Sequence, residues 1–226
     1  MSYFITGTDT NVGKTLISCA LMHGFAAMGK RVAGMKPVAA GCNDDGNYDD
    51  VLQLRAASNV SASGEQINPY CFTPAVAPHL AAQLAGVIIN IARISETFLE
   101  LAAQADEVVV EGAGGLLVPL NAVQDSSELM RKLGLPVILV VGMRLGCLNH
   151  ALLTVEAIAA RGLTLAGWVA NVVDADMEML DQNITALELR INAPLLGVVP
   201  FQLQPDARDV ATLLNLHLLE PIKQHD

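Results

Sequence analysis

Apolar residues in this chain gather in short unbroken runs, separated by longer stretches in which they recur every third or fourth position. The runs Tyr3–Thr6, Arg31–Lys36, Glu107–Glu111, Pro136–Val141, Leu163–Asn171 and Leu195–Val199 read as strands. Thr15–Met28, Asp49–Ala57, Ile91–Ala105, Ser126–Leu133, Cys147–Ala160 and Met177–Arg190 carry the helical period. Val108-Val109-Val110 and Val137-Ile138-Leu139-Val140-Val141 are apolar at every position instead of alternating. Strands of that kind are buried on both faces, as in a parallel sheet covered by helices on each side. The strand-then-helix order predicts an α/β fold with a doubly wound, mostly parallel open sheet and helices on both faces. With no internal repeat, low-complexity tract or linker, residues 1–226 are expected to form a single domain. Val38–Tyr48 and Ser58–Pro78 are rich in Gly, Asn, Ser and Pro and show no period. Long loops in a compact domain are often binding loops, so this region is expected to cover a ligand.

Composition narrows the partners. A net charge of −10 argues against a general binder of nucleic acid or anionic membrane, whose affinity comes from Lys and Arg. It does not exclude one anionic ligand in a local pocket. Cys19, Cys42, Cys71 and Cys147 are scattered, with no paired spacing, and are expected to be reduced thiols. The chain runs from Met1 straight into the first apolar run, and no run reaches bilayer length. A soluble, cytoplasmic protein is expected.

Three segments carry chemistry. Gly7-Thr8-Asp9-Thr10-Asn11-Val12-Gly13-Lys14-Thr15 lies between the first strand and the first helix. There, successive backbone N–H groups and a helix N-terminus cradle phosphate oxygens. Lys14 is placed to reach β- and γ-phosphates, and Thr15 to ligate Mg²⁺. The generic phosphate-binding pattern has four residues between its glycines, whereas five separate Gly7 from Gly13. A helix-capping turn is the plain alternative, but the strand-before, helix-after setting favours a P-loop NTPase-like fold. In Val108-Val109-Val110-Glu111-Gly112-Ala113-Gly114-Gly115 a buried strand ends on a carboxylate, where ligands of open α/β sheets sit. Glu111 there is placed to hold Mg²⁺; alone, it reads equally well as a solvated strand end. Lys36, at the end of the second strand before Pro37, suits an anion, and Asp49-Asp50 suit a helix start. His79 and His150 have no second ligand at metal spacing and read as structural.

Taken together, GTDTNVGKT (7–15), GMKPVAAG (34–41), NPY (68–70), VVVEGAGG (108–115), LPVILVV (135–141), LGCLNHALLT (145–154) and LAGWVAN (165–171) resemble the dethiobiotin synthetase family over most of the chain. The resemblance covers the lengthened glycine spacing too. It implies an ATP-dependent ring closure in which 7,8-diaminononanoate and CO₂ become the cyclic urea of dethiobiotin, through a carbamate and a carbamic–phosphoric anhydride. It implies Lys36, Lys14 and Thr10 as catalytic, and Thr15, Asp50 and Glu111 as holders of Mg²⁺. The nucleotide is assigned Asn11, Val12, Gly13, Lys14, Thr15, Leu16, Asp50, Glu111, Gly112, Ala113 and Gly114, with adenine near Asn171, Val172, Pro200, Phe201, Gln202 and Asp206. The substrate is assigned Lys36 and Ala40, and its carboxylate the helix start Gly146, Cys147, Leu148 and Asn149 donated across a homodimer.

The sequence departs from the family in two places. Ala40 stands where relatives carry a substrate-contacting Ser, and the loop from Lys36 to the acidic pair is short, so Asp49 and Asp50 compete for one metal role. Two rival readings are weaker. Cobyrinate-type amide synthetases add a glutamine-hydrolysing domain, which these 226 residues are not expected to contain. Positioning ATPases carry a signature Lys where Asp9 stands here. A nucleotide-binding relic without turnover is a third reading, against which the retained Lys14, Thr15, Lys36, Asp50 and Glu111 speak.

Overall fold

The computed structural model describes residues 2–43 and 48–219, and its strands fall on the unbroken apolar runs. The first half runs β1 (Tyr3–Gly7), α1 (Lys14–Ala27), β2 (Val32–Met35), β3 (Val38–Ala40), α2 (Asp49–Ala57), α3 (Gly64–Ile67), β4 (Tyr70–Phe72), α4 (Pro78–Leu84) and α5 (Ile91–Ala102). The second half runs β5 (Glu107–Glu111), α6 (Ser126–Leu133), β6 (Val137–Met143), α7 (Cys147–Ala160), β7 (Leu165–Val172), α8 (Leu180–Glu188), β8 (Leu195–Val199) and α9 (Ala207–Ala211), ending in a 3-10 turn at Leu216–Leu219.

Six strands pair in parallel in the order β2-β5-β1-β6-β7-β8. Side chains alternate between two cores, which is why these strands must be apolar at every position. Ile5, Val109, Ile138, Val140 and Val169 pack with α1, α2 and α9 on one face. Phe4, Val108 and Val110 pack on the other against Ile94, Phe98 and Leu101 of α5 and Leu129 and Met130 of α6. Farther along that face, Leu139, Val141, Trp168 and Ala170 meet Ala151 of α7 and Leu187 of α8. The helices begin where capping chemistry permits. The Asn90 side chain accepts from the N–H groups of Ala92 and Arg93 at 2.8 and 3.4 Å, and Asp125 with Glu128 forms a capping box on α6.

The strand order positions the site. The chain leaves β1 for the edge strand β2, returns to insert β5 between them, and then places β6 on the other side of β1. A crevice forms at such a reversal, outside the carboxyl ends of the strands. Registers of Met35 with Val110 and Ile5 with Glu111 bring Lys36, Glu111 and the segment after β1 to one level.

Two expectations are corrected. The region read as irregular loop contains a second sheet, in which β3 and β4 pair in parallel, together with α3 and α4. Strands of three residues are too short to display a period, so the sequence hides them. Residues 44–47 of that loop lie outside the described residues. The cysteines were expected to be reduced, yet Cys42 and Cys71 are joined as a disulfide, with Cα atoms 6.3 Å apart. The β3–β4 pairing sets Ala39 beside Cys71, and the N–H groups of Gly41 and Cys42 both donate to the Phe72 carbonyl. That pairing closes a sequence separation of 29, which carried no signal in itself. Cys19 and Cys147 are free and buried. Among the described residues no helix is long and apolar enough to cross a membrane.

Candidate functional site

Gly7 closes β1, and the loop that follows is packed too tightly for side chains at its glycines. A Cβ on Gly7 would lie 2.6 Å from Val12 Cγ2. Gly13 has φ of 89°, and a Cβ there would lie 2.2 Å from Asn171 Nδ2. The Asn171 side chain, buried at the end of β7, donates to the Val12 carbonyl at 2.8 Å and so braces the loop from behind. Asn11 also has positive φ, at 59°, a conformation that Asn tolerates better than most residues. The turn delivers Lys14 and Thr15 to the first turn of α1, whose N–H groups have no partners within the helix. Lys14 Nζ donates to the Asp9 carbonyl at 2.9 Å. Burial, reinforced by the charge of Lys36, lowers its pKa to about 8. The Asp9 carboxylate accepts from Thr10 N at 2.7 Å and pairs with Arg144 at 2.5 Å.

Beside this loop lies a charged cluster. Lys36 Nζ is 2.6 Å from Glu111 Oε1 and 2.7 Å from Asp50 Oδ2, and Thr15 Oγ1 donates to the same Glu111 oxygen at 2.9 Å. Lys36 is 3 % exposed and Glu111 1 %. Burial by itself lowers the Lys36 pKa, but Glu111 and Asp50 outweigh it and hold the ammonium above the ordinary lysine value. The second Glu111 oxygen, Oε2, is buried without a hydrogen-bond partner. A buried carboxylate oxygen left unmatched is costly, and beside Thr15 and Asp50 it fits a hard cation. Among the described residues no group of three His, Cys, Asp or Glu is gathered to hold a metal. Mg²⁺ needs none, because it takes one or two carboxylates and completes its shell with phosphate and water oxygens.

A cavity of about 770 Å³ opens over these groups. Of the residues expected from the sequence, Thr10, Asn11, Gly13, Lys14, Thr15, Lys36, Ala40, Asp50, Glu111, Ala113 and Gly114 line it. Asp50 does so and Asp49 does not. The opposite wall, made by Val38 and Ala39 of β3, Tyr48, and Ala75–Pro78 leading into α4, falls within the two irregular stretches expected to cover a ligand, although the sequence did not single out these residues. Pro37, which turns the chain into β3, was the available signal. Val12 and Leu16 lie under the loop in the α1 core, and Gly112 packs on Phe4. Asn171, Val172, Pro200, Phe201, Gln202 and Asp206 do not line this cavity. Asn171 and Val172 are the last residues of β7, and Pro200, Phe201, Gln202 and Asp206 follow β8, with Asp206 capping α9. Gly146, Cys147, Leu148 and Asn149 start α7 and are also outside the lining.

A family model described as an AAA domain matches residues 1–208. The chain is 56% identical to the ATP-dependent dethiobiotin synthetase BioD of Nitrosospira multiformis, over 95% of this chain and 94% of that one. It is 55% identical to the protein of the same name from Aromatoleum aromaticum, over 95% and 97%. With the one from Pseudomonas aeruginosa the identity is 48%, over 96% and 97%. Among solved structures, the MinC:MinD cell division complex of Aquifex aeolicus aligns with a TM-score of 0.55 at 13% identity, covering 93% of this chain and 85% of that one. The septum site-determining protein MinD of Pyrococcus horikoshii, solved with Mg-ADP, gives 0.51 at 18% identity, over 88% and 82%. At such identities these likenesses concern the fold alone.

Proposed function

The chain belongs to the ATP-dependent dethiobiotin synthetase family, and from that premise we propose that its cavity closes the cyclic urea of dethiobiotin, a step of biotin biosynthesis. The substrates are 7,8-diaminononanoate, CO₂ and ATP, and ADP and phosphate are released. The observation that carries this reading is the buried Lys36, charged between Glu111 and Asp50 and level with the phosphate loop.

One amine of the substrate adds to CO₂, and the carbamate so formed attacks the γ-phosphate. The second amine then attacks the carbamic–phosphoric anhydride, closes the ring and expels phosphate. Each stage gathers negative charge in one place, so the protein acts mainly by position and electrostatics. Lys14 exchanges its bond to the Asp9 carbonyl for the β- and γ-phosphate oxygens. Lys36 faces the carbamate and the transferring phosphoryl group, where a fixed ammonium steadies charge without reorganising. Thr10 lies beside the anhydride. Mg²⁺, when bound, supplies Lewis-acid neutralisation of the phosphate oxygens, and Thr15, Asp50 and Glu111 are the groups that hold it. The Asn171 amide is assigned to adenine, with Val172, Pro200, Phe201, Gln202 and Asp206 around the base. Ala40 offers the substrate no hydroxyl, which leaves that contact to the backbone. The N–H groups at Gly146, Cys147, Leu148 and Asn149 receive the substrate carboxylate of a second copy in a homodimer.

The test is phosphate release from ATP, Mg²⁺ and bicarbonate, with and without the diamine. Release is expected only with the diamine, and is expected to vanish in Lys36→Ala. Equal release without the diamine, or none at all, would remove this substrate.

A further inference from the structure

The Cys42–Cys71 bond flanks residues of the cavity wall but has no part in the chemistry above. Ala40, just before Cys42, and Ala75, just beyond Cys71, both line the cavity. Between the two cysteines the chain carries Tyr48 and Asp50. Asp50 pairs with Lys36 at 2.7 Å, and the Tyr48 ring centre lies 5.9 Å from Lys36 Nζ. The bond therefore closes a covalent loop from which two side chains bear on the central lysine.

Hydrogen bonds hold β3 to β4 independently of the sulfurs, since the N–H groups of Gly41 and Cys42 reach the Phe72 carbonyl at 2.8 and 3.0 Å. Breaking the disulfide leaves that pairing intact and removes the covalent tie that closes the loop carrying Tyr48 and Asp50. Cys42 is buried, whereas Cys71 is half-buried, so a thiol arriving from solvent meets Cys71 first. The remaining thiols do not compete. Cys19 and Cys147 are buried, and burial, aided by the charges of Glu111 and Asp50, pushes Cys19 up to about 12.

We propose that Cys42–Cys71 is a redox modification site, reduced by a soluble dithiol and re-formed by a small disulfide oxidant, whose oxidised form preorganises the diamine side of the cavity. In reduction, a thiolate of the dithiol attacks Cys71 Sγ, the S–S bond breaks and Cys42 leaves as a thiolate that takes up a proton. The second thiol of the reagent then releases Cys71 as a thiol. Two electrons pass to the protein pair, and the reagent becomes a disulfide. The kinetic half of this inference rests on the proposed function; the chemical half does not.

The test begins with protein purified without reductant, alkylated after unfolding and counted by intact mass. Two labels are expected, rising to four after dithiothreitol, with a peptide map joining Cys42 to Cys71. The reduced protein should then show a diamine KM raised about five-fold with an unchanged ATP KM, the size expected from loosening one or two side chains. The double variant Cys42→Ser/Cys71→Ser should match the reduced protein and ignore dithiothreitol; the single Cys71→Ser serves if the double variant is poorly folded. Four labels after treatment with oxidised glutathione would overturn the site. Two labels with equal kinetics in both redox states would overturn its role. Because label counting needs no turnover, failure of the diamine reaction itself would be recognised separately.

Discussion

Two lysines a short distance apart are tuned in opposite directions, and the difference is in their partners. Lys14 is buried with a backbone carbonyl as its hydrogen-bond acceptor, and burial together with the charge of Lys36 brings its pKa down to about 8. Lys36 is buried more deeply, yet two carboxylates hold it charged. Phosphates bind the ammonium form, so above pH 8 ATP binding must return a proton to Lys14. The apparent Kd for ATP should be flat below pH 8 and rise by up to about ten-fold per pH unit above it, measured by calorimetry with a non-hydrolysable analogue. Stability of the free protein runs the other way. Between about 8 and the ordinary 10.5 the unfolded chain holds more protons at this lysine, so its contribution to stability grows with pH. The cluster around Lys36 is also asymmetric. Lys36→Met strands Glu111, whose side chain is fully buried and keeps only Thr15. Glu111→Gln leaves Lys36 paired with Asp50. Removing one member of a buried pair costs about 3–5 kcal/mol, so Lys36→Met should lower Tm by roughly 10 °C. Glu111→Gln should lower it by clearly less. The reverse order in a thermal melt would mean that Asp50 does not share the charge.

At the scale of elements, the junction of β1 and α1 shows what a sequence can and cannot convey. The glycines and Lys14-Thr15 were readable, because a strand, a glycine-rich turn and a helix start are all local patterns. The brace behind them was not, because Asn171 sits 159 residues from Val12 and looks like any strand-end amide. Gly13→Ala tests that brace. It meets the left-handed φ, costing about 1–2 kcal/mol, and its Cβ displaces the Asn171 amide. ATP affinity should fall by more than about ten-fold. Asn171→Ala alone, which removes the brace and the adenine contact, should also weaken ATP, and the double variant should lose less than the two single losses together because the clash is cleared. Strict additivity would mean that φ alone sets the cost of Gly13→Ala. Which other residues of the opposite wall face the cavity was hidden for a related reason. β3 and β4 contribute three residues each, and only their pairing, never their own pattern, reveals that Val38, Ala39 and Tyr48 share a cavity with Lys36. Asp49 and Asp50 were equivalent on paper, and the helical turn of α2 separates them by sending only Asp50 to the cavity.

For the whole molecule, a parallel sheet covered on both faces was implicit in the unbroken apolar runs, but the strand order and the assembly were not. The start of α7 lies outside the cavity of its own chain, although the proposed function gives it the substrate carboxylate. Both statements hold if a second copy brings its α7 to the cavity mouth. Leu145, immediately before that helix, is 96 % exposed, and Leu153 on α7 is 57 % exposed. Single exposed leucines are ordinary on a monomer, whereas leucines beside the helix start proposed to hold the carboxylate suit an interface between copies. Sedimentation should therefore show a dimer, and Leu145→Glu should shift it to monomer. The monomer should bind ATP with unchanged affinity, because the phosphate loop is complete within one chain, while the diamine KM rises by about ten-fold or more as one anion site is lost. A monomeric variant with an unaltered diamine KM would place the carboxylate within a single chain and return α7 to a purely structural part.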